Sequence, residues 1–204
     1  MRLGRRLPRA FYDRDVTVVA RDLLGRVLVR RLPDGRRLAA RLVEVEAYAP
    51  DDPASHSYRG PTQRNRTMFG PPGRLYVYFT YGMHHCLNVV TGPAGEGAAV
   101  LLRAAEPLEG LEAMAERRGT GDPRLLCSGP GRLAQALWLS REHDGADLVR
   151  EPWIGLWEGE PVPPERVVVT TRIGINHGTE RPWRFLVGGD PHVSRRRPTG
   201  SRRA

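Results

Sequence analysis

The sequence predicts a mixed α/β (α+β) single domain with a curved, largely antiparallel sheet flanked by helices, and three observations carry that reading. Strand-like runs outnumber helical ones and follow one another directly, joined by turn signals such as Pro33-Asp34-Gly35. The order helix, several strands, helices, then more short strands does not repeat as βαβ units. Neither a dinucleotide-binding nor a phosphate-loop glycine fingerprint is present. With 204 residues and 40% hydrophobic content, one sizeable core is expected and two large domains are not.

The elements follow in order. VTVVARDLL at 16–24 reads as a short helix stopped by Gly25. Runs 26–32 and 38–48 read as strands. In the second, alternation puts Val43, Val45 and Ala47 on one face and Glu44, Glu46 and Tyr48 on the other, so one side is buried and the other faces solvent or a cleft. Residues 50–73 form a Pro-, Gly- and Arg-rich connection, too long for a simple link and containing His56 and Tyr58. Strands are predicted at 74–81, 85–91 and 98–104. A helix is predicted over 107–118, with Pro107 in its first turn, and another over roughly 130–140. Short strands at 166–170 and 184–188 complete the reading.

The chain carries 32 basic residues against 23 acidic ones, a net charge of +9. Four arginines lie in residues 1–9 and five in 194–204, with no acid in either segment. The expected division is a basic N-terminal tail (1–9), a domain (10–193) and a basic C-terminal tail (194–204). Arginine-rich ends hold phosphates non-specifically or simply solubilise, and they leave both readings open. Every basic side chain in that count is arginine: the sequence has no lysine, so a lysine Schiff base is impossible and the N-terminus is the only primary amine. Cys86 and Cys127 suggest neither a disulfide framework nor a zinc cluster, and no cofactor or metal is expected. No apolar run suits a membrane span or a secretory signal, so a cytoplasmic protein with no membrane partner is expected.

Several residues could carry chemistry. Glu46 is either a solvent-face charge on a sheet or a carboxylate aimed into a cleft, where partial burial or a like charge would fit it for base duty. In LYVYFTYGMHH, alternation sets Tyr76, Tyr78 and Thr80 opposite Leu75, Val77, Phe79 and Tyr81. Such aromatics either pack a strand or stack on unstacked bases. Asn88, an amide in an apolar strand, is tied to backbone or presented to a ligand. Arg103, a charge in an apolar run, needs an anionic partner if buried, and Glu46 is one candidate. His56 could line the same cleft or be an ordinary loop histidine.

The runs VEVEAYAPDDPASHSYRGPTQRNRTMFGPPGRLYVYFTYGMHHCLNVV, GAAVLLRAAEPLEG and LCSGPGRLAQAL, in that order, strongly resemble the alkyladenine (3-methyladenine) DNA glycosylase family over roughly residues 10–193. The resemblance implies a monofunctional enzyme that flips alkylated or deaminated purines from double-stranded DNA and hydrolyses the bond to deoxyribose. It implies catalytic roles for Glu46, as the base that activates water, and for Arg103, which helps hold that water. Tyr48, His56 and Tyr78 would stack the purine, and Asn88 would sit at the pocket floor and disfavour a 2-amino group. Tyr81 would be the wedge, Met83 its support, and Arg132 a position near the DNA backbone. His84-His85 departs from the mostly aromatic pair associated with some relatives. A monomer suffices for all of this.

Three other readings are weighed against it. A damage-binding protein without catalysis would not need Glu46. A bifunctional glycosylase-lyase would have only the N-terminal amine for its imine. A metal-dependent nuclease would want clustered acidic and histidine ligands.

Overall fold

The computed structural model describes residues 3–80 and 82–194. The elements are α1 (Arg9–Tyr12), α2 (Val16–Leu23), β1 (Val27–Arg31), β2 (Arg37–Tyr48), β3 (Leu75–Thr80), β4 (His84–Thr91), β5 (Ala98–Glu109), α3 (Leu111–Arg118), α4 (Pro123–Leu126), α5 (Pro130–Ala136), β6 (Ile154–Trp157), β7 (Val167–Thr170) and β8 (Arg184–Val187). All eight strands join one antiparallel sheet in the order β3-β4-β5-β2-β1-β6, with β8 branching from β2 and β7 pairing with β8. None of the helices among the described residues is long and apolar enough to cross a membrane.

α2 forms because Val16, Val19, Ala20 and Leu23 recur on one face and are buried, while Asp15 caps the start by accepting from Thr17 N–H and Val18 N–H. Replacing Asp15 with Ala is expected to cost about 1 kcal/mol, read as a lower urea midpoint at unchanged slope. β2 is the spine. It pairs along its length with β5, while its other edge meets β1 first and then β8. Register shifts between β2 and β5 leave Val43 and Arg103 as extra residues at the branch. Bulges of this kind bend a strand and re-aim its side chains. The main core lies between the inner face of the sheet and helices α2, α3 and α5.

The helix expected over 107–118 is shorter than that reading. β5 runs on through Pro107 to Glu109, and α3 starts at Leu111 after Gly110, whose φ of 78° ends the strand. Pro107 pairs with Ala40 beside a register shift, on a stretch that β4 does not reach, and proline is tolerated at such a place. The strand β6 and helix α4 are additions: IGLW is four residues between turns, too short to show a period.

Of the basic N-terminal segment, Arg6 donates to the carbonyl of Leu148 at 2.8 Å and to those of Glu151 and Ile154, and Arg9 pairs with Asp147 at 2.7 Å. The long connection 50–73 is folded. Asn65 is buried at its centre: its Nδ2 donates to the carbonyls of His56 and Gly60, and its Oδ1 accepts from Thr62. That scaffold fixes where His56 points.

Candidate active site

A cavity of about 350 Å³ opens where β2, β3, β4 and β5 meet the folded connection and the 173–175 segment. Its walls include Tyr48, His56, Tyr76, Tyr78, Asn88 and Arg103. Strand alternation accounts for much of this wall. Tyr76, Tyr78 and Thr80 all face the cavity, while Leu75 and Val77 point into the main core.

Glu46 lies behind this wall with 0% exposure. Its Oε2 accepts from Tyr48 Oη–H at 2.9 Å and from Arg103 Nη1 at 3.3 Å, and its Oε1 accepts from the backbone N–H of Ile173 at 2.8 Å. Glu44, two residues earlier, is equally buried. It takes Arg103 Nε at 3.0 Å, Arg184 Nε at 2.7 Å, and both N–H and Oγ–H of Ser194. The strand face expected to meet solvent or a cleft is thus covered by arginines and by the segments that carry Ile173 and Ser194. Arg103 bridges the two carboxylates. Burial works against its charge, but Glu46 and then Glu44 more than offset this and raise its pKa above the ordinary value.

The other walls are aromatic and neutral. The His56 and Tyr78 rings meet edge to face, 4.4 Å between centroids, and His56 Nδ1 lies 3.0 Å from Tyr76 Oη. Burial and then Arg64 lower the His56 pKa below its usual value, so the ring is neutral at pH 7. Burial and then Glu46 push the Tyr48 hydroxyl far up, burial raises the Tyr78 hydroxyl and the Cys86 thiol, and the Tyr76 hydroxyl rises to about 12. Asn88 meets both readings offered for it: its amide donates to the Tyr76 carbonyl at 3.1 Å, and the residue lines the cavity.

Two partners escape sequence reasoning. Arg172 and Asp52 form a fully buried ion pair, and the Arg172 guanidinium carbon lies 4.6 Å from the Tyr48 ring centroid. This pair fixes the back of the Tyr48 ring and holds the segment whose next residue, Ile173, donates to Glu46. Arg172 lies well over a hundred positions from Glu46 and Tyr48, and Asp52, though close to both in the chain, shows nothing of its partner until the chain closes.

Met83 stands exposed on the β3–β4 hairpin, and Arg132 is exposed on α5, where it donates to Ser128 Oγ at 3.0 Å. Neither lines the cavity. Tyr81 lies outside the described residues. Among the described residues, no three His, Cys, Asp or Glu side chains gather in a way that could hold a metal ion.

The chain is similar to known proteins over nearly its whole length. The methylpurine-DNA glycosylase family profile matches residues 10–191. A Carboxydothermus hydrogenoformans protein is 50% identical over 190 residues, covering 93% of this chain and 99% of its own. A Methanoculleus marisnigri protein is 52% identical over 192 residues, covering 93% and 99%. One from Burkholderia lata is 53% identical over 199 residues, covering 94% and 92%. Each carries the provisional name 3-methyladenine DNA glycosylase. An aromatic cavity backed by a buried carboxylate, together with a match over nearly the whole chain, makes this protein an N-glycosyl hydrolase of DNA repair: the chain belongs to the methylpurine-DNA glycosylase family.

Proposed function

We propose that the cavity receives an alkylated or deaminated purine extruded from duplex DNA, and that Glu46 activates the water that hydrolyses its glycosidic bond. The observation that carries this is Glu46 itself. It is a carboxylate buried behind a purine-sized aromatic wall, held by Arg103 and Tyr48, with its second oxygen engaged by one backbone donor. In the step proposed, the water oxygen bonds to C1′, Glu46 takes its proton, and the C1′–N bond breaks with its electron pair leaving on the purine. Tyr48 and the His56–Tyr78 pair would stack the base from opposite sides, and Asn88 would read the edge facing the floor. Tyr81 and Met83 on the hairpin would fill the gap in the duplex, and Arg132 would meet its backbone.

The electrostatics favour charged lesions. A purine alkylated at N3 or N7 leaves as a neutral base and needs no acid. His56 is neutral and repels no cation, while the raised hydroxyls and thiol of the cavity are poor proton donors near pH 7. A neutral lesion such as hypoxanthine finds no proton donor among these groups. The expected result is single-turnover release of 7-methylguanine at least tenfold faster, relative to the uncatalysed rate, than hypoxanthine would be if both were held equally well. Release of hypoxanthine and methylated purines at matched enhancements would mean that the cavity supplies an acid and would sink this reading of its chemistry.

A further inference from the structure

Behind the β3–β4 hairpin, on the side away from the purine cavity, lies a second recess of about 480 Å³ lined by Met83, His84, Arg117, Gln135 and Trp138, among others. Two large apolar side chains stand in the open there: Met83 is 69% exposed and Trp138 55%. Trp138 is also the one non-glycine residue with positive φ among those described, at 53°. A bulky residue in this conformation is strained and persists only where its surroundings hold it. Here the strained backbone holds an indole outward, just past the end of α5.

Among the described residues no carboxylate lines the recess, and one guanidinium, that of Arg117, does. The Arg117 guanidinium carbon lies 5.2 Å from the indole centroid. Arg118, bonded to the recess residue Gln135, and Arg132, one turn earlier on α5, stand beside the recess without lining it. No carboxylate comes within ion-pair distance of Arg117, Arg118 or Arg132 among the described residues. Most other arginines of the fold have one. Burial and neighbouring arginines lower the pKa of Arg117 and Arg118, with Glu116 and Asp34 acting on Arg117 in the opposite sense. Unpaired guanidinium groups beside a flat, exposed ring suit a polyanion that also presents sugars and ring faces.

The recess is continuous with the site already described. Thr80 and Cys86 line the cavity, while Met83, His84 and His85 line the recess. Pro130 lines the cavity and Gly131, next along α5, lines the recess. The hairpin sits directly on that helix, since a Cβ at Gly131 would come within 2.9 Å of the His84 ring. A duplex seated over the cavity therefore has the recess beside it.

We propose that this recess is a second DNA contact, holding the phosphodiester backbone and sugars of the duplex flanking the lesion, on the far side of the hairpin from the extruded base. The partner rests on the glycosylase reading; the surface, and above all Trp138, goes beyond it.

The test is a salt series of anisotropy titrations on an undamaged duplex and on one carrying an abasic site. It compares wild type, Trp138→Gly and the double variant Arg117→Gln/Arg118→Gln. Losing two phosphate contacts is expected to make the slope of log K against log salt shallower by about 1.8 and to weaken binding roughly tenfold at fixed salt. Trp138→Gly is expected to weaken binding several-fold at every salt, with the slope kept. Its thermal midpoint should be equal or higher, because glycine relaxes the positive φ. Trimming the duplex arm on one side of the lesion should weaken wild type and leave the variants little changed. Wild-type affinity and slope in both variants, or a loss indifferent to which arm is trimmed, would overturn the proposal. Wild type that binds DNA with the steeper slope yet releases no base would instead defeat the glycosylase reading and leave this contact standing.

Discussion

Glu46→Gln is expected to lower single-turnover base release by about 10²–10⁴-fold, the range a positioned general base contributes, while affinity for a lesion duplex changes little. The substitution keeps the size of a side chain that lies behind the cavity wall, so the aromatic surface offered to the purine is preserved. Its cost falls on the donors. Tyr48 and Arg103 point at one oxygen and Ile173 N–H at the other, so either orientation of the new amide sets an N–H against a donor. That buried mismatch is expected to cost about 1–3 kcal/mol of stability, visible in urea unfolding and distinct from the kinetic loss. A variant that still released base within tenfold of wild type would remove Glu46 from the chemistry.

The largest stability effect is expected at Arg103. One guanidinium serves Glu44 through Nε, Glu46 through Nη1 and Ser194 through Nη2. Glu44 keeps Arg184 and Ser194 when Arg103 is removed, whereas Glu46 retains only a hydroxyl and an amide as direct partners. Arg103→Met should therefore destabilise by about 3–5 kcal/mol, the cost of leaving a buried charge without its cation. Adding Glu46→Gln to that background should recover part of the loss, because the uncompensated charge goes with it. A small and additive effect in this cycle would mean that Arg103 and Glu46 do not depend on each other. Arg103→Lys should fall between, since a single ammonium cannot span both carboxylates.

How much of this was legible in the sequence depended on how local each signal was. The period-2 alternation of β2 and β3 put Glu46 with Tyr48, and Tyr76 with Tyr78 and Thr80, on the faces they occupy. Arg103 stood out as a charge in an apolar run, and a bulge explains how it turns towards Glu46. Glu44 carried the same local signal as Glu46, yet it is a saturated anchor, engaged by two arginines and Ser194, whereas Glu46 is held by one arginine, the Tyr48 hydroxyl and one backbone N–H. Periodicity gives the face a side chain takes and says nothing of how many donors will reach it. Arg172, Ile173 and Ser194 come from segments distant in the chain, and nearby Asp52 takes its role only from Arg172, so only the closed fold brings them together. Pro107 misled because a proline opening a helix and a proline at the frayed end of a long strand look alike locally.

The central claim is hydrolytic release of a damaged purine by this chain, and the most direct measurement is single-turnover reaction with a duplex carrying one 7-methylguanine, run in chelator. Products would be read for free base and for strand length before and after alkali. The account predicts free 7-methylguanine, a strand intact before alkali and cut at the lesion after it. No release of base, strand scission without alkali, or activity abolished by the chelator would contradict it.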